Sequence, residues 1–285
     1  MEMVFASWAL MRRSIQILKA DKELMWLPVL SAISSLLVTV AIASGGALIF
    51  YPSIKVIMDA GGQWRPAPGI LIGVSFVFYL ANYSVIGFFN TALVAAASIR
   101  LQGGDPTLAD GLRLAWRRTG VILQWALLAA TVGLVLQMIE ERASIIGRLV
   151  VGLVGLAWTL ASFLVVPVLA FEDVGPVEAL RRSAELFRKT WGEQVAGGFS
   201  FGLVGFLLAV LGLVLPLTGN ALAGQPGMVI GACLYLIYIL LLSVVASAAR
   251  GIFIAALYRY ATTGEVASGF RRQNLASAWT PKRTP

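Results

Sequence analysis

The sequence predicts an all-α fold: a polytopic transmembrane helical bundle of six spans, with amphipathic interfacial helices before spans 1, 3 and 5. Three observations predict it. Five stretches carry no charged residue at all, 24–54, 66–99, 119–139, 149–171 and 194–249, and each reaches or exceeds the roughly 20 residues that take a helix across about 30 Å of hydrocarbon. Hydrophobic residues make up 59% of the chain and charged residues 13%, against about 45–50% and 25% in soluble globular domains. Lys and Arg gather in alternate connections between the apolar stretches.

The first span, 24–50, follows a mixed-charge arm. Ala41-Ile42-Ala43 has the form of a signal-peptide cleavage site, but the arm before the run holds seven charges in 23 residues and the apolar run continues past Ala43, so the span reads as a retained anchor. The second span, 70–98, ends at Arg100. The third, 120–139, closes on Glu140, Glu141 and Arg142, and the fourth, 149–171, contains Pro167 in Val165-Val166-Pro167-Val168, where loss of a backbone donor predicts a kink. The last stretch is 56 residues long and would make a helix of about 84 Å, so it must fold back. Pro216-Leu217-Thr218-Gly219-Asn220 and Gly224-Gln225-Pro226-Gly227 supply the turn chemistry, giving spans at 195–215 and 228–249. Residues 1–265 form a single transmembrane domain, and 266–285 a basic tail.

Six spans put both termini on one side. Eighteen Lys and Arg fall in the N-terminal arm, the 99–119 and 172–194 connections and the region from Arg250 onward, against Lys55, Arg65, Arg142 and Arg148 in the alternate connections. The positive-inside rule then predicts a multi-pass protein of the cytoplasmic membrane with N- and C-termini cytoplasmic. The net charge of +8 matches anionic lipid headgroups, since juxtamembrane Lys and Arg each gain about 1 kcal/mol near an anionic leaflet. Nucleic acid is excluded as a partner, because the basic residues flank spans and form no separable domain with stacking platforms.

The basic connections resemble one another. Met11-Arg12-Arg13-Ser14-Ile15-Gln16-Ile17-Leu18-Lys19 matches Leu180-Arg181-Arg182-Ser183-Ala184-Glu185-Leu186-Phe187-Arg188, and Leu112-Arg113-Leu114-Ala115-Trp116-Arg117-Arg118 is a looser copy. In the third copy Val177, Leu180, Ala184 and Phe187 recur at helical spacing, the pattern of a helix lying in the membrane interface. Asp173 before Gly175-Pro176, and Asp105 before Pro106, mark helix starts. The organisation read from this is one amphipathic helix plus one transmembrane hairpin, three times over, although basic helices also precede spans simply to orient insertion. Arg12, Arg13, Arg117, Arg118, Arg181, Arg182 and Arg250 are the candidate headgroup contacts.

Polar residues within the spans are uncharged, and the chain has no His, which argues against proton-coupled or ion-driven transport. Asn82, Asn90, Gln124, Thr131, Gln137 and Pro167 are the candidates for a polar path or for helix-helix contacts, the second role being the ordinary one for Asn and Gln in spans. Gly69 and Gly73, Ala129 and Gly133, Gly198 and Gly202, and Gly227 and Gly231 have the spacing for close helix approach, within one chain or between copies in a homo-oligomer. Cys233 is the single cysteine, so neither a disulfide nor a thiolate metal cluster is expected. Paired carboxylates at depth, a Ser-His or Cys-His couple, a zinc motif and a phosphate loop are absent from the sequence, so no catalytic, cofactor or metal residue is assigned. Asp105, Asp110, Glu172 and Asp173 share the basic face, where helix capping accounts for Asp105 and Asp173.

Phe88 to Ala97 (FFNTALVAAA), Trp125 to Arg142, Gly155 to Pro176 (GLAWTLASFLVVPVLAFEDVGP), Arg181 to Gly192 (RRSAELFRKTWG) and Leu257 to Gly264 (LYRYATTG) resemble a family of uncharacterised prokaryotic six-span membrane proteins. Its plan is similar to the membrane region attached to some glycerophosphodiester phosphodiesterases, whose catalytic domain has no counterpart here. The resemblance covers about 85–265 and implies a prokaryotic cytoplasmic membrane and a link to lipids, with no functional residue to carry over. The reading is a non-catalytic protein of membrane organisation or lipid interaction. The alternatives are a channel or facilitator for a small solute or lipid, and a lipid-modifying enzyme or membrane subunit of a larger complex.

Overall fold

The computed structural model describes residues 14–19, 21–59 and 67–264, and among them every regular element is helical. Residues 14–19 are helical; a 3-10 turn at Lys22–Met25 then leads into α1 (Trp26–Asp59). There follow α2 (Pro68–Leu101), α3 (Leu108–Arg117), α4 (Thr119–Arg142), α5 (Ile145–Ala161), α6 (Val165–Phe171), α7 (Pro176–Gly212) and α8 (Val214–Thr263). Arg12 and Arg13, the basic pair of the first repeat copy, lie outside the described residues, as does the tail 266–285.

Five helical stretches are long and apolar enough to cross a membrane: Lys22–Ile57, Gly69–Leu101, Thr119–Arg142, Ile145–Phe171 and Gly202–Thr263. Their most apolar windows are between 0% and 22% buried. Leu48 is 77% exposed, Ile145 87% and Leu222 88%. Water would penalise such a surface at about 25 cal/mol per Å², whereas lipid tails are as apolar as the side chains themselves.

The last of the five doubles back. Ala223 and Gly224 are its non-helical residues, with φ/ψ of −137/17 and 59/−143; the second conformation is open essentially to glycine alone. Gly219 meets Gly227, Gly231 meets the Leu215–Pro216 backbone, and the Tyr238 hydroxyl donates to the Leu208 carbonyl at 2.9 Å. Each pair straddles residue 223 nearly symmetrically, the signature of two antiparallel helices in contact. Of the two turn clusters expected between residues 215 and 228, the reversal uses the start of the second, at Gly224, while Pro216–Asn220 stay helical. Those residues are helical because Pro216 sits in the first turn after Leu213, where no intrahelical donor is needed, leaving the reversal to Gly224.

The kink expected at Pro167 appears just upstream, where Ser162–Leu164 interrupt the helix between α5 and α6. Pro167 takes the third position of α6, and its ring excludes the i−4 carbonyl arrangement that a continuous helix would need. The basic connections also differ from three separate interfacial helices. α3 is distinct, divided from α4 at Arg118, but the third copy runs without a break from Pro176 into the apolar region as the 37-residue α7. The sequence between Arg188 and Val195 contains Gly192 but no proline, and one glycine does not stop a helix.

The chain divides into two compact units whose boundaries fall inside α1, α2 and α7: Met1–Val29, Leu93–Gly111 and Glu185–Pro285 form one, Leu30–Ala92 and Leu112–Ala184 the other. The first buries Leu18, Leu24 and Leu27 with Leu93–Ala97 of α2 and Ala248, Ala249, Ile252, Phe253, Ala255, Leu257 and Tyr258 of α8, and its 3-10 turn packs on α8. Leu93 fills the space above Gly251. The second buries Ile122, Ala126, Ala129 and Ala130 of α4, Leu164–Ala170 except half-buried Val166, and Ala179 and Ser183 of α7. In both units the buried positions concentrate at the helix ends nearest the arginine-rich connections.

Candidate functional site

At the arginine-rich ends, carboxylates clasp arginines. In the first unit Arg100, the penultimate residue of α2, brings Nε to 2.8 Å from Asp21 Oδ2, and its Nη1 lies 3.6 Å from Asp105 Oδ1. Only 10% of the Asp21 side chain is exposed, and its Oδ2 has no aligned hydrogen-bond donor, so it receives a charge contact without a hydrogen bond. Burial raises the Asp21 carboxyl above its ordinary 3.8; Arg100 opposes that shift, while Asp105 and Glu23 add to it. In the second unit Arg118, between α3 and α4, donates to Asp173 Oδ1 at 2.8 Å, and Arg182 Nε lies 3.3–3.4 Å from Glu172.

Two of these pairs join the ends of apolar helices with opposite polarity. Asp21 precedes α1 and Arg100 ends α2, whereas Arg118 precedes α4 and Asp173 follows α6. The capping roles expected for Asp105 and Asp173 are thereby corrected. The start of α3 is instead a reciprocal box in which the Asp110 N–H donates to Thr107 Oγ1 (3.2 Å) and Thr107 N–H and hydroxyl donate to Asp110 Oδ2 (3.1 and 2.6 Å).

The candidate headgroup arginines therefore separate. Arg118 and Arg182 are half-buried and committed to carboxylates; Arg117 and, further along α7, Arg188 and Lys189 are exposed with no carboxylate within 4.0 Å among the described residues. Arg181 is exposed on α7. Arg250 is exposed too, although Ala248, Ala249 and Gly251 beside it are buried, so it projects from the surface of α8. Trp116 is 75% exposed next to Arg117, an aromatic-plus-basic pairing suited to an interface.

The polar residues of the spans mostly bond within their own helices. Asn82 Nδ2 donates to the Phe78 carbonyl (3.1 Å) and the Thr131 hydroxyl to the Leu127 carbonyl (2.8 Å). Gln124 and Thr131 are exposed, Asn90 half-buried and Pro167 buried, so these residues do not present one common surface. Gln137 does reach another helix: Tyr79 of α2 donates to its Oε1 at 3.1 Å while its Nε2 donates to Glu141 Oε1 at 3.1 Å. Tyr79 also stacks on Tyr83, at 6.1 Å between ring centres.

Ser183 answers the break in the fourth apolar segment. The Leu164 N–H, released by the interruption, donates to Ser183 Oγ at 2.9 Å, with both residues fully buried. Aligning the basic motifs places Ser14 and Ala115 at the same register as Ser183, and all three are 0% exposed. The doubled Arg-Arg-Ser motif carried this signal; nothing in the sequence paired Asp21 with Arg100 or singled out Tyr79.

Among the described residues, no three His, Cys, Asp or Glu side chains are placed to hold a metal ion. Apolar helices open to lipid, with charges confined to their ends, define an all-helical, membrane-embedded protein. The chain belongs to the family of unknown function DUF6159, which matches residues 69–270. No curated protein matches it.

Proposed function

We propose that the chain is a six-pass protein of the cytoplasmic membrane, with both termini inside, that acts without catalysis by engaging anionic lipid headgroups along its basic connections. The observation that carries the reading is the division of the basic residues: Arg100, Arg118 and Arg182 are paired with carboxylates, while Arg117, Arg188 and Lys189 stand exposed without one among the described residues. Such cations match phosphate-bearing headgroups. The folding back at Ala223–Gly224 supports counting the five apolar stretches as six passes. The channel reading draws no support from Asn90, Gln124, Thr131 and Pro167, which differ in exposure. For the enzyme reading, Asp105, Glu172 and Asp173 are each held by an arginine.

The test is thermal unfolding in nanodiscs of anionic phosphatidylglycerol or zwitterionic phosphatidylcholine, beside solute-flux and lipid-scrambling assays in liposomes. The anionic discs should raise the unfolding midpoint, and Arg117→Gln with Arg188→Gln should remove most of that gain. Equal midpoints in both lipids, or flux or scrambling activity, would displace the reading.

A further inference from the structure

At the opposite ends of α4 and α5 from the arginine-rich connections, an open cleft is lined by Gln137, Glu140, Glu141 and Arg148. Its charges do not neutralise one another. Arg148 lines the same cleft as two carboxylates, yet among the described residues it has no ion pair within 4.0 Å. Gln137 is fixed from both sides, accepting from Tyr79 and donating to Glu141 Oε1. The Gln137 amide thus holds one oxygen of Glu141 beside the cleft. Ala143 and Ser144 separate the two helices, and the Ser144 side chain accepts from the Gly147 N–H, so the start of α5 that carries Arg148 is capped and held in place.

The depth of the cleft narrows the ligand. Glu140 and Arg148 are the charges that border the uncharged stretches 119–139 and 149–171, so in a membrane they stand where hydrocarbon gives way to headgroups. A ligand there meets a guanidinium suited to a phosphate and carboxylates suited to an ammonium group. The geometry points to a site for a zwitterionic lipid headgroup of the phosphoethanolamine type, its phosphate on Arg148 and its primary ammonium on Glu140 and Glu141. A purely anionic headgroup would meet two like charges, and a quaternary ammonium would lack the N–H donors that the carboxylates accept. This inference rests on the membrane-spanning reading but not on anionic-lipid engagement at the other end.

The test is native mass spectrometry of the protein released from nanodiscs containing equal phosphatidylethanolamine, phosphatidylcholine and phosphatidylglycerol. Wild type should retain phosphatidylethanolamine preferentially, and Arg148→Gln and the double variant Glu140→Gln with Glu141→Gln should each lower that retention about tenfold. Arg142→Gln, in the same connection but outside the cleft, should retain it as wild type does, and its thermal midpoint checks that the fold persists. Retention unchanged in the cleft variants, lost equally in Arg142→Gln, or favouring phosphatidylglycerol overturns the proposal. Soluble glycerophosphoethanolamine should compete only at much higher concentration; if it binds as well as the lipid, the cleft serves a free solute and the lipid assignment falls. Loss of the site with intact nanodisc incorporation separates this failure from failure of the membrane reading.

Discussion

Ser183 shows how one hydroxyl can license an irregular backbone inside an apolar environment. An unpaired N–H in lipid or in a dry core carries a penalty of about 1–3 kcal/mol, and the Leu164 N–H avoids it through Ser183 alone. Ser183→Ala should therefore lower stability by about 1–3 kcal/mol in thermal unfolding in detergent, while Thr131→Ala, exposed and bonded only within its helix, should stay within about 0.5 kcal/mol. Asp21 makes a different demand. Because burial raises its carboxyl pKa, the folded state binds the proton more tightly than the unfolded one. Its contribution is most favourable below 3.8 and is lost as pH rises through the raised folded value. Asp21→Asn should flatten that part of the stability profile, so its midpoint relative to wild type should climb from about pH 4 upward until the wild-type carboxyl has fully ionised.

Among the elements, the helical pair around Ala223–Gly224 depends on bare backbone at its contact. A side chain at Gly231 would collide with the Leu215–Pro216 backbone, which cannot rotate away as a side-chain tip can. Gly231→Ile should cost at least about 1–3 kcal/mol, measured as a lower unfolding midpoint in detergent, whereas Gly202→Ile meets open space and should leave the midpoint close to wild type. The spacing of Gly227 and Gly231 made close approach legible in the sequence, but the same spacing at Gly69 and Gly73 leads to nothing within 4 Å. Small residues permit contact; a facing helix must supply it. Of the two turn clusters only Gly224 marks the reversal; Pro216–Asn220 stay helical, since proline signals a break only if it falls outside the first turn of a helix.

For the molecule as a whole, apolar length and charge placement made the helical membrane fold legible, because both follow from the cost of burying charge in hydrocarbon. The clasps of Asp21 on Arg100 and Arg118 on Asp173 were hidden, since each joins residues far apart in the chain through geometry that no local pattern encodes. The cleft was half visible: the sequence placed Glu140 and Glu141 together at the end of the third span, and only the fold brings Arg148 and Gln137 to the same cleft. The proposed six-pass arrangement makes a definite expectation for labelling. Single cysteines placed at Ser144 and Gly224, in a Cys233→Ser background, should react with a membrane-impermeant maleimide on intact cells, and one at Gly264 should not; the reverse pattern would invert the topology.

The tight reversal at Ala223–Gly224 also bears on how the chain enters its membrane. No Asp, Glu, Lys, Arg or His occurs from 194 to 249, so in the proposed six-pass arrangement carrying the tip of this helical pair across the bilayer would move no charge through the electrical field and do no work against it. On that arrangement, depolarising the cell should leave translocation of the last pair unaffected.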